Sequence, residues 1–290
     1  MKIVIGMKNS TELAKNIAKK LKCPYTEIET TKLNSGEITI KFKKDIKNAD
    51  IILIKSFYPE PDTSIIELIL TCNTAYELGA RTLVLAAPYI SYLHCDDRAT
   101  PTSSLSNRII TKLISCTDEI ITIDPHLHRI DNLARLFRVK TKKLSANFAI
   151  ASYIYKNFRN EAVIGPAPEE APWSEAIIKH VELKAVFQKK GKTPNKTIKI
   201  KILNGAEIKN KNIVIIDDMI ITGNTMSKII KEAKKLKPKT ISCVCTHGFL
   251  EQGAISKLKT AGASKIVSTN TIQTKYSKID VSDVISRALR

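Results

Sequence analysis

Short β-branched runs alternate with amphipathic helical runs along this chain, and the alternation occurs twice. Residues 2–7 (KIVIGM), 50–55 (DIILIK), 82–87 (TLVLAA) and 119–123 (EIITI) are apolar and bounded by polar or turn residues, the pattern of strands buried on both faces. Between them, residues 9–21, 63–79 and 105–116 carry helical spacing, with Asn9 or Ser10 placed to cap the first helix and Pro61-Asp62 preceding the second. A second set follows, with strands near 162–165, 184–187, 212–217, 240–246 and 264–268 and helices near 146–157, 172–180, 224–236 and 250–261. Two such βαβα series imply two parallel sheets covered by helices, and ligands of such sheets bind beyond the carboxyl ends of strands. The functional residues are therefore sought just after strands. The polar stretch Lys142 to Asn147 marks a boundary near residue 145, giving domains 1–145 and 146–280, with a last helix at 281–290 that returns to the first domain.

At 290 residues, the chain is long enough for two such cores, and 43% hydrophobic with 26% charged positions excludes a disordered, collagenous or coiled-coil protein. The amino terminus has polar and charged residues where a secretory signal needs an apolar run, and no stretch reaches the roughly 18 apolar residues of a membrane span. A soluble, cytoplasmic protein without a membrane partner is expected. The six cysteines form no CxxC pair and are read as reduced, mostly buried thiols. A net charge of +19, from 47 basic and 28 acidic residues, reads either as a lysine-biased solvated surface or as the mark of a polyanionic partner. Only 6% of positions are aromatic, and no nucleic-acid-binding motif stands out, which argues against DNA or RNA and favours a phosphorylated small molecule. Segment 184–212, with nine lysines and a single acid, is broken by Gly191 and Pro194 into a hairpin-like excursion. It reads either as a solvated loop or as a lysine-bearing flap over phosphates.

The most informative run is IVIIDDMIITGNTM, residues 213–226. An apolar strand is expected to end at Asp217-Asp218, followed by a turn through Thr222, Gly223, Asn224 and Thr225 and then a helix. Gly223 permits close backbone approach, the unpaired amides of the helix start attract a phosphate, and Thr222 and Thr225 add hydroxyl donors. The two carboxylates would repel a phosphate. Their natural partners are sugar hydroxyls or a divalent cation. One end of the run thus suits phosphate and the other suits a pentose.

This run resembles the ribose 5-phosphate-binding loop of ribose-phosphate diphosphokinases, also called PRPP synthetases, and of the related phosphoribosyltransferases. The resemblance extends over nearly the whole chain. Asn34-Ser35-Gly36-Glu37 is similar to the family turn that reaches ATP at a subunit interface, PYISYLHCDDR (88–98) to its PYxxYxRQDR motif, and TIDPHLHR (122–129) to the segment carrying its active-site histidine. Such membership implies an α/β fold of two tandem phosphoribosyltransferase-like domains, each a mainly parallel sheet flanked by helices. It also implies transfer of the diphosphoryl group of ATP to ribose 5-phosphate, with Mg²⁺ as cofactor and a homo-oligomer, dimer or hexamer, as the working form.

By the same resemblance, Asp217, Asp218, Thr222, Gly223, Asn224 and Thr225 bind ribose 5-phosphate, and Glu37, His94 and Asp96 bind ATP. Asp124 and His126 lie near the metal and the triphosphate, with His126 also catalytic. Lys189 or Lys190 occupies the place of the family's hairpin lysine, and Lys189 is taken as the catalytic one. The ATP side departs from the family pattern: His94 stands for an arginine, Leu33 for an aromatic residue, Ala167 for an acid and Gly191 for a second arginine. These departures leave open a catalytically impaired binding subunit, and the shared loop leaves open a phosphoribosyltransferase.

Overall fold

The computed structural model describes residues 1–95, 98, 100–127, 132–158, 162–166, 172–181, 184–192 and 198–290. The chain divides into two compact units, Met1–Ser145 with Val281–Arg290, and Ala146–Asp280. In the first unit the order is β1 (Lys2–Gly6), α1 (Thr11–Leu21), β2 (Tyr25–Lys32), β3 (Ile38–Phe42), β4 (Asp50–Ile54), α2 (Pro61–Glu77), β5 (Thr82–Ala87), α3 (Ser106–Ile114), β6 (Glu119–Ile123) and β7 (Lys140–Leu144). The second runs α4 (Asn147–Asn157), β8 (Ala162–Pro166), α5 (Pro172–Val181), β9 (Lys184–Lys192), β10 (Ile198–Ile202), β11 (Asn212–Ile220), α6 (Asn224–Lys235), β12 (Thr240–Gly248), α7 (Ala254–Ala261), β13 (Lys265–Thr269) and β14 (Ser277–Ile279). The last helix, α8 (Ser282–Ala288), belongs to the first unit.

Each unit holds one sheet of seven described strands, ordered β3-β2-β1-β4-β5-β6-β7 and β10-β9-β8-β11-β12-β13-β14. Pairing is parallel throughout except for the edge hairpins β2–β3 and β9–β10. The two orders are the same once the strands are renumbered. In each, the chain first moves one way from the centre and then the other, so the order reverses between β1 and β4 and between β8 and β11. Such a reversal opens a crevice at the carboxyl ends of the two central strands.

The core explains why these runs became strands. Alternate residues of the central strands, Ile3 and Ile5, Ile51 and Leu53, Leu83 and Leu85, join Leu68, Cys72 and Ala75 of α2 in one apolar cluster. Each fully buried aliphatic side chain of this kind contributes about 1.5–3 kcal/mol. In the second unit, Ile213, Ile215, Cys243 and Cys245 pack against Met226, Ile229 and Ile230 of α6 in the same manner. Helix α1 turns Leu13, Ala14, Ile17 and Ala18 inward and stops at Lys22, whose φ of 55° is left-handed.

Several strands lie outside the expected set. β2 and β3 alternate polar and apolar residues because they form an edge hairpin with one solvated side, so they lack a continuous apolar run. β7 (KTKKL) occupies part of the segment read as a polar boundary; its lysines suit a sheet edge. The lysine-rich excursion is a hairpin, β9 pairing antiparallel with β10 so that Lys189 faces Lys201 in the register. β11 does not end at Asp217-Asp218, as the run of apolar residues suggested. It continues to Ile220, pairing with β12 as far as Gly248. All six cysteines are free, three buried and three half-buried. Among the described residues, no helix is long and apolar enough to cross a membrane.

Candidate active site

The crevice of the second unit is formed where β11 outruns its neighbour. β8 pairs with β11 only as far as Ile215, whereas β12 accompanies it five residues further. Gly165, at the end of β8, lies where a side chain would press within 3.3 Å of Ile216 and Ser174. Past Ile220, three residues turn the chain into α6, and the segment Asp217 to Met226 lines a cleft of about 230 Å³.

Within this cleft the two carboxylates are not equivalent. Successive strand residues face opposite ways. Asp217 is buried, at 5% exposure, and Asp218 is half-exposed. The Asp218 amide donates to Asp217 Oδ1 at 3.2 Å and the Met219 amide to Asp218 Oδ1 at 2.8 Å, so each carboxylate is oriented by the backbone that follows it. Desolvation, together with the nearby Asp217 carboxylate, pushes the neighbouring Cys243 thiol up to about 12. Asp218 is the carboxylate within reach of a ligand's hydroxyls.

The turn itself favours an anion. Gly223 caps α6 at φ 73°, a conformation that a side chain would strain, and a Cβ there would lie 3.3 Å from Leu258. Thr222 and Asn224 are exposed and Thr225 half-exposed. The Asn224 amide contacts Thr222 Oγ1 at 3.4 Å, a long bond that leaves the start of α6 presenting donors, with the positive end of the helix dipole behind them. Sequence reasoning did not single out Lys257, one turn into α7, whose Nζ bonds the Thr222 carbonyl at 3.1 Å and Asn224 Oδ1 at 2.6 Å. The two contacts join residues far apart in the chain, and no local spacing signals them.

In the first unit, Asp124 directly follows β6 and adopts a left-handed φ of 37°, an uncommon conformation that aspartate tolerates better than most residues. Its amide donates to Leu144 O at 3.0 Å, and it and His126 are half-exposed at the sheet's carboxyl edge. His94 is exposed in the turn after β5, and Glu37 is exposed at the β2–β3 hairpin, where Ser35 Oγ donates to it at 2.6 Å. Leu33 is also exposed on that hairpin. Asp96 and Ala167 lie outside the described residues. Lys189 and Gly191 are placed on β9 by their backbone, and the side chains of Lys189 and Lys190 lie outside the described part.

The first unit has its own crevice, between β1 and β4, and of its lining the sequence had singled out only Gly36 and Glu37 for function. It is a cleft of about 450 Å³ whose lining includes Lys8, Thr30, Lys55, Glu60, Ser64 and Glu67. At its floor Lys55 and Glu67 form an ion pair of 2.5 Å, each with 1% exposure, and Thr30 Oγ1 donates to the same carboxylate. Burial pushes the Lys55 ammonium below its ordinary value although the Glu67 carboxylate opposes the shift. The sequence signal was available: a lysine closing an otherwise apolar strand run, with a glutamate on the buried face of the next helix.

The repeated strand order defines a protein of two phosphoribosyltransferase-like units, the second bearing a turn that favours an anion. Residues 1–117 match the N-terminal domain of ribose phosphate pyrophosphokinase, and residues 140–283 match the phosphoribosyl transferase domain. The chain is 28% identical to ribose-phosphate pyrophosphokinase 1 of Archaeoglobus fulgidus, over 100% of both chains. It is 26% identical to ribose-phosphate pyrophosphokinase of Methanobrevibacter smithii, over 99% of this chain and 100% of the relative. The crystal structure of phosphoribosylpyrophosphate synthetase from Mycobacterium smegmatis superposes with a TM-score of 0.83 at 20% identity, covering 100% of this chain and 97% of that one, and so shares the fold. The chain belongs to the ribose-phosphate pyrophosphokinase family, the enzymes also called diphosphokinases.

Proposed function

We infer that this protein is a Mg²⁺-dependent ribose-phosphate diphosphokinase, transferring the β,γ-diphosphoryl group of ATP to the 1-hydroxyl of ribose 5-phosphate and releasing AMP. The observation that carries this reading is the strand–turn–helix segment Asp217 to Met226, which offers a carboxylate at one end and an amide-rich turn at the other. That polarity matches a phosphorylated pentose. The half-exposed Asp218 would accept hydrogen bonds from ring hydroxyls, while Thr222, Gly223, Asn224 and Thr225 would receive the 5-phosphate. The buried Asp217 would support the strand beneath Asp218. A match to the N-terminal domain of the pyrophosphokinases, ahead of the transferase-like unit, favours this reaction over transfer from PRPP to a base.

Attack of a sugar oxygen on the β-phosphorus gathers negative charge on phosphoryl oxygens and on the departing AMP. The protein's contribution is therefore positioning and positive charge. Among the described residues no three His, Cys, Asp or Glu side chains gather into a metal cage. Mg²⁺ does not need one, since one or two carboxylates plus substrate phosphates and water complete its octahedron. Asp124, with His126 two residues on, fits that requirement and would hold the ion, which neutralises the triphosphate. Lys189 on the hairpin would stabilise the group in flight, and His94, Asp96 and Glu37 would bind the nucleotide.

A homo-oligomer, dimer or hexamer, is part of the proposal. Glu37 is exposed on the edge hairpin of its sheet, where a neighbouring subunit could reach it. A second copy would supply Glu37 to the same nucleotide. The cytoplasm, where six free thiols stay reduced, is the proposed location. The test is AMP release from ATP with ribose 5-phosphate and Mg²⁺. The wild-type chain should turn over, and Lys189→Ala should be slower by on the order of 10² to 10³. A wild-type rate no higher than that of Lys189→Ala would overturn the proposal.

A further inference from the structure

Anion binding by backbone amides requires more than free N–H groups. The carbonyls of the same turn must be kept from pointing at the ligand, since each carries partial negative charge. In the turn after β11, four consecutive carbonyls are all engaged. Leu250 N donates to Ile220 O at 3.1 Å, Glu251 N to Ile221 O at 3.1 Å and Lys257 Nζ to Thr222 O at 3.1 Å, while Gly223 O accepts from Ser227 N at 2.9 Å inside α6. Three of the four partners come from one stretch, residues 250–257. Lys257 makes a second bond, 2.6 Å to Asn224 Oδ1, so one ammonium holds both sides of Gly223.

We propose that Lys257 is a positioning residue for the phosphorylated substrate, latching the 222–225 turn with its carbonyls drawn back and its amides turned out, and placing a positive charge behind the anion. This rests on the reading of that turn as the 5-phosphate site. Several features make the latch specific. Gly223, which lies between the two bonded residues, packs directly on α7, its α-hydrogen side facing Leu258 and the Ala254 carbonyl. α7 begins immediately after the segment that ties off Ile220 and Ile221, so the lysine and the two amides act from one rigid piece. An ammonium donates but never accepts, so it cannot compete with the phosphate for the turn's amides. A neutral side chain in its place would leave the Thr222 carbonyl and Asn224 Oδ1 free to rotate toward the anion.

Arginine at this position can make the same two donations and keeps the charge; methionine keeps the aliphatic stem and loses both. Titration calorimetry of the full chain with ribose 5-phosphate, and separately with inorganic phosphate, compares wild type, Lys257→Met and Lys257→Arg. Lys257→Met should weaken both ligands by about tenfold, as expected on losing charge-assisted bonds at an anion site. Lys257→Arg should remain within about threefold of wild type. The KM for MgATP and the melting temperature should be unchanged in both variants, which a lysine that only stabilised the fold would not give. Affinities of Lys257→Met within about twofold of wild type, or an equal loss for ribose 5-phosphate and MgATP, would overturn the role of Lys257 alone. A wild-type chain that binds neither ligand would overturn the phosphate reading of the turn and this inference with it.

Discussion

Gly223 is the residue at which geometry and chemistry meet most tightly. Its φ of 73° and the 3.3 Å approach of a hypothetical Cβ to Leu258 leave no strain-free place for a side chain. Gly223→Ala should cost on the order of 1 kcal/mol of stability, read by urea unfolding, and should weaken ribose 5-phosphate in equilibrium dialysis. The buried pair at the floor of the other crevice behaves differently. Lys55→Met removes one partner and leaves the Glu67 carboxylate at 1% exposure without its cation, so a loss of about 3–5 kcal/mol is expected. The double change Lys55→Met with Glu67→Met should recover most of it in the same urea experiment. A double variant as unstable as the single one would mean that the pair itself, and not the stranded charge, is what the core needs.

Elements differ in how plainly the sequence announces them, and the reason is solvent. β1, β4, β5 and β11 are buried on both faces, so they write continuous apolar runs. β2, β3, β7 and β10 lie at or beside an edge; β3 and β10 alternate apolar with polar residues, a period-2 signal that a search for continuous apolar runs passes over, while in β2 and β7 lysine and threonine blur the period. The extension of β11 to Ile220 was hidden by its two aspartates, which break the apolar run without breaking the ladder. The acid-and-hydroxyl chemistry of that segment was nevertheless legible, because it is local. Lys257 was not, since its contacts span 33 and 35 residues.

Helix α8 offers a test at this scale. It packs on α1, with Ile285 buried, Lys142 Nζ on Ala288 O at 3.1 Å and, just past its end, Lys2 Nζ on Leu289 O at 3.0 Å. A chain ending at residue 280 should melt several degrees lower than the full chain in calorimetry. β4 and β5 are tied at their starts by Asp50, whose carboxyl is held down to about 2 by its hydrogen bonds from Arg81 and Thr82. A depressed carboxyl contributes stability above its ordinary value, and that contribution fades as pH falls through the folded value. The wild-type protein should therefore lose stability between about pH 4 and 2 more steeply than Asp50→Asn, as followed by circular dichroism.

For the molecule as a whole, the repeated strand order matters because the two crevices it creates are filled differently. After β4 the chain runs into Lys55 and a cleft of paired cations and carboxylates; after β11 it runs into Asp218 and an amide-rich turn. On the proposed reading, one architecture yields a single sugar-phosphate site per chain, and calorimetric titration should return one ribose 5-phosphate per subunit. The crystal structure of the chain soaked with ribose 5-phosphate is the most direct measurement of all. It should show the phosphorus within hydrogen-bonding reach of the amides of residues 223–225 and a ring hydroxyl on Asp218. Density for the sugar in the cleft beside Lys55, or a turn whose carbonyls face the phosphate, would contradict the account.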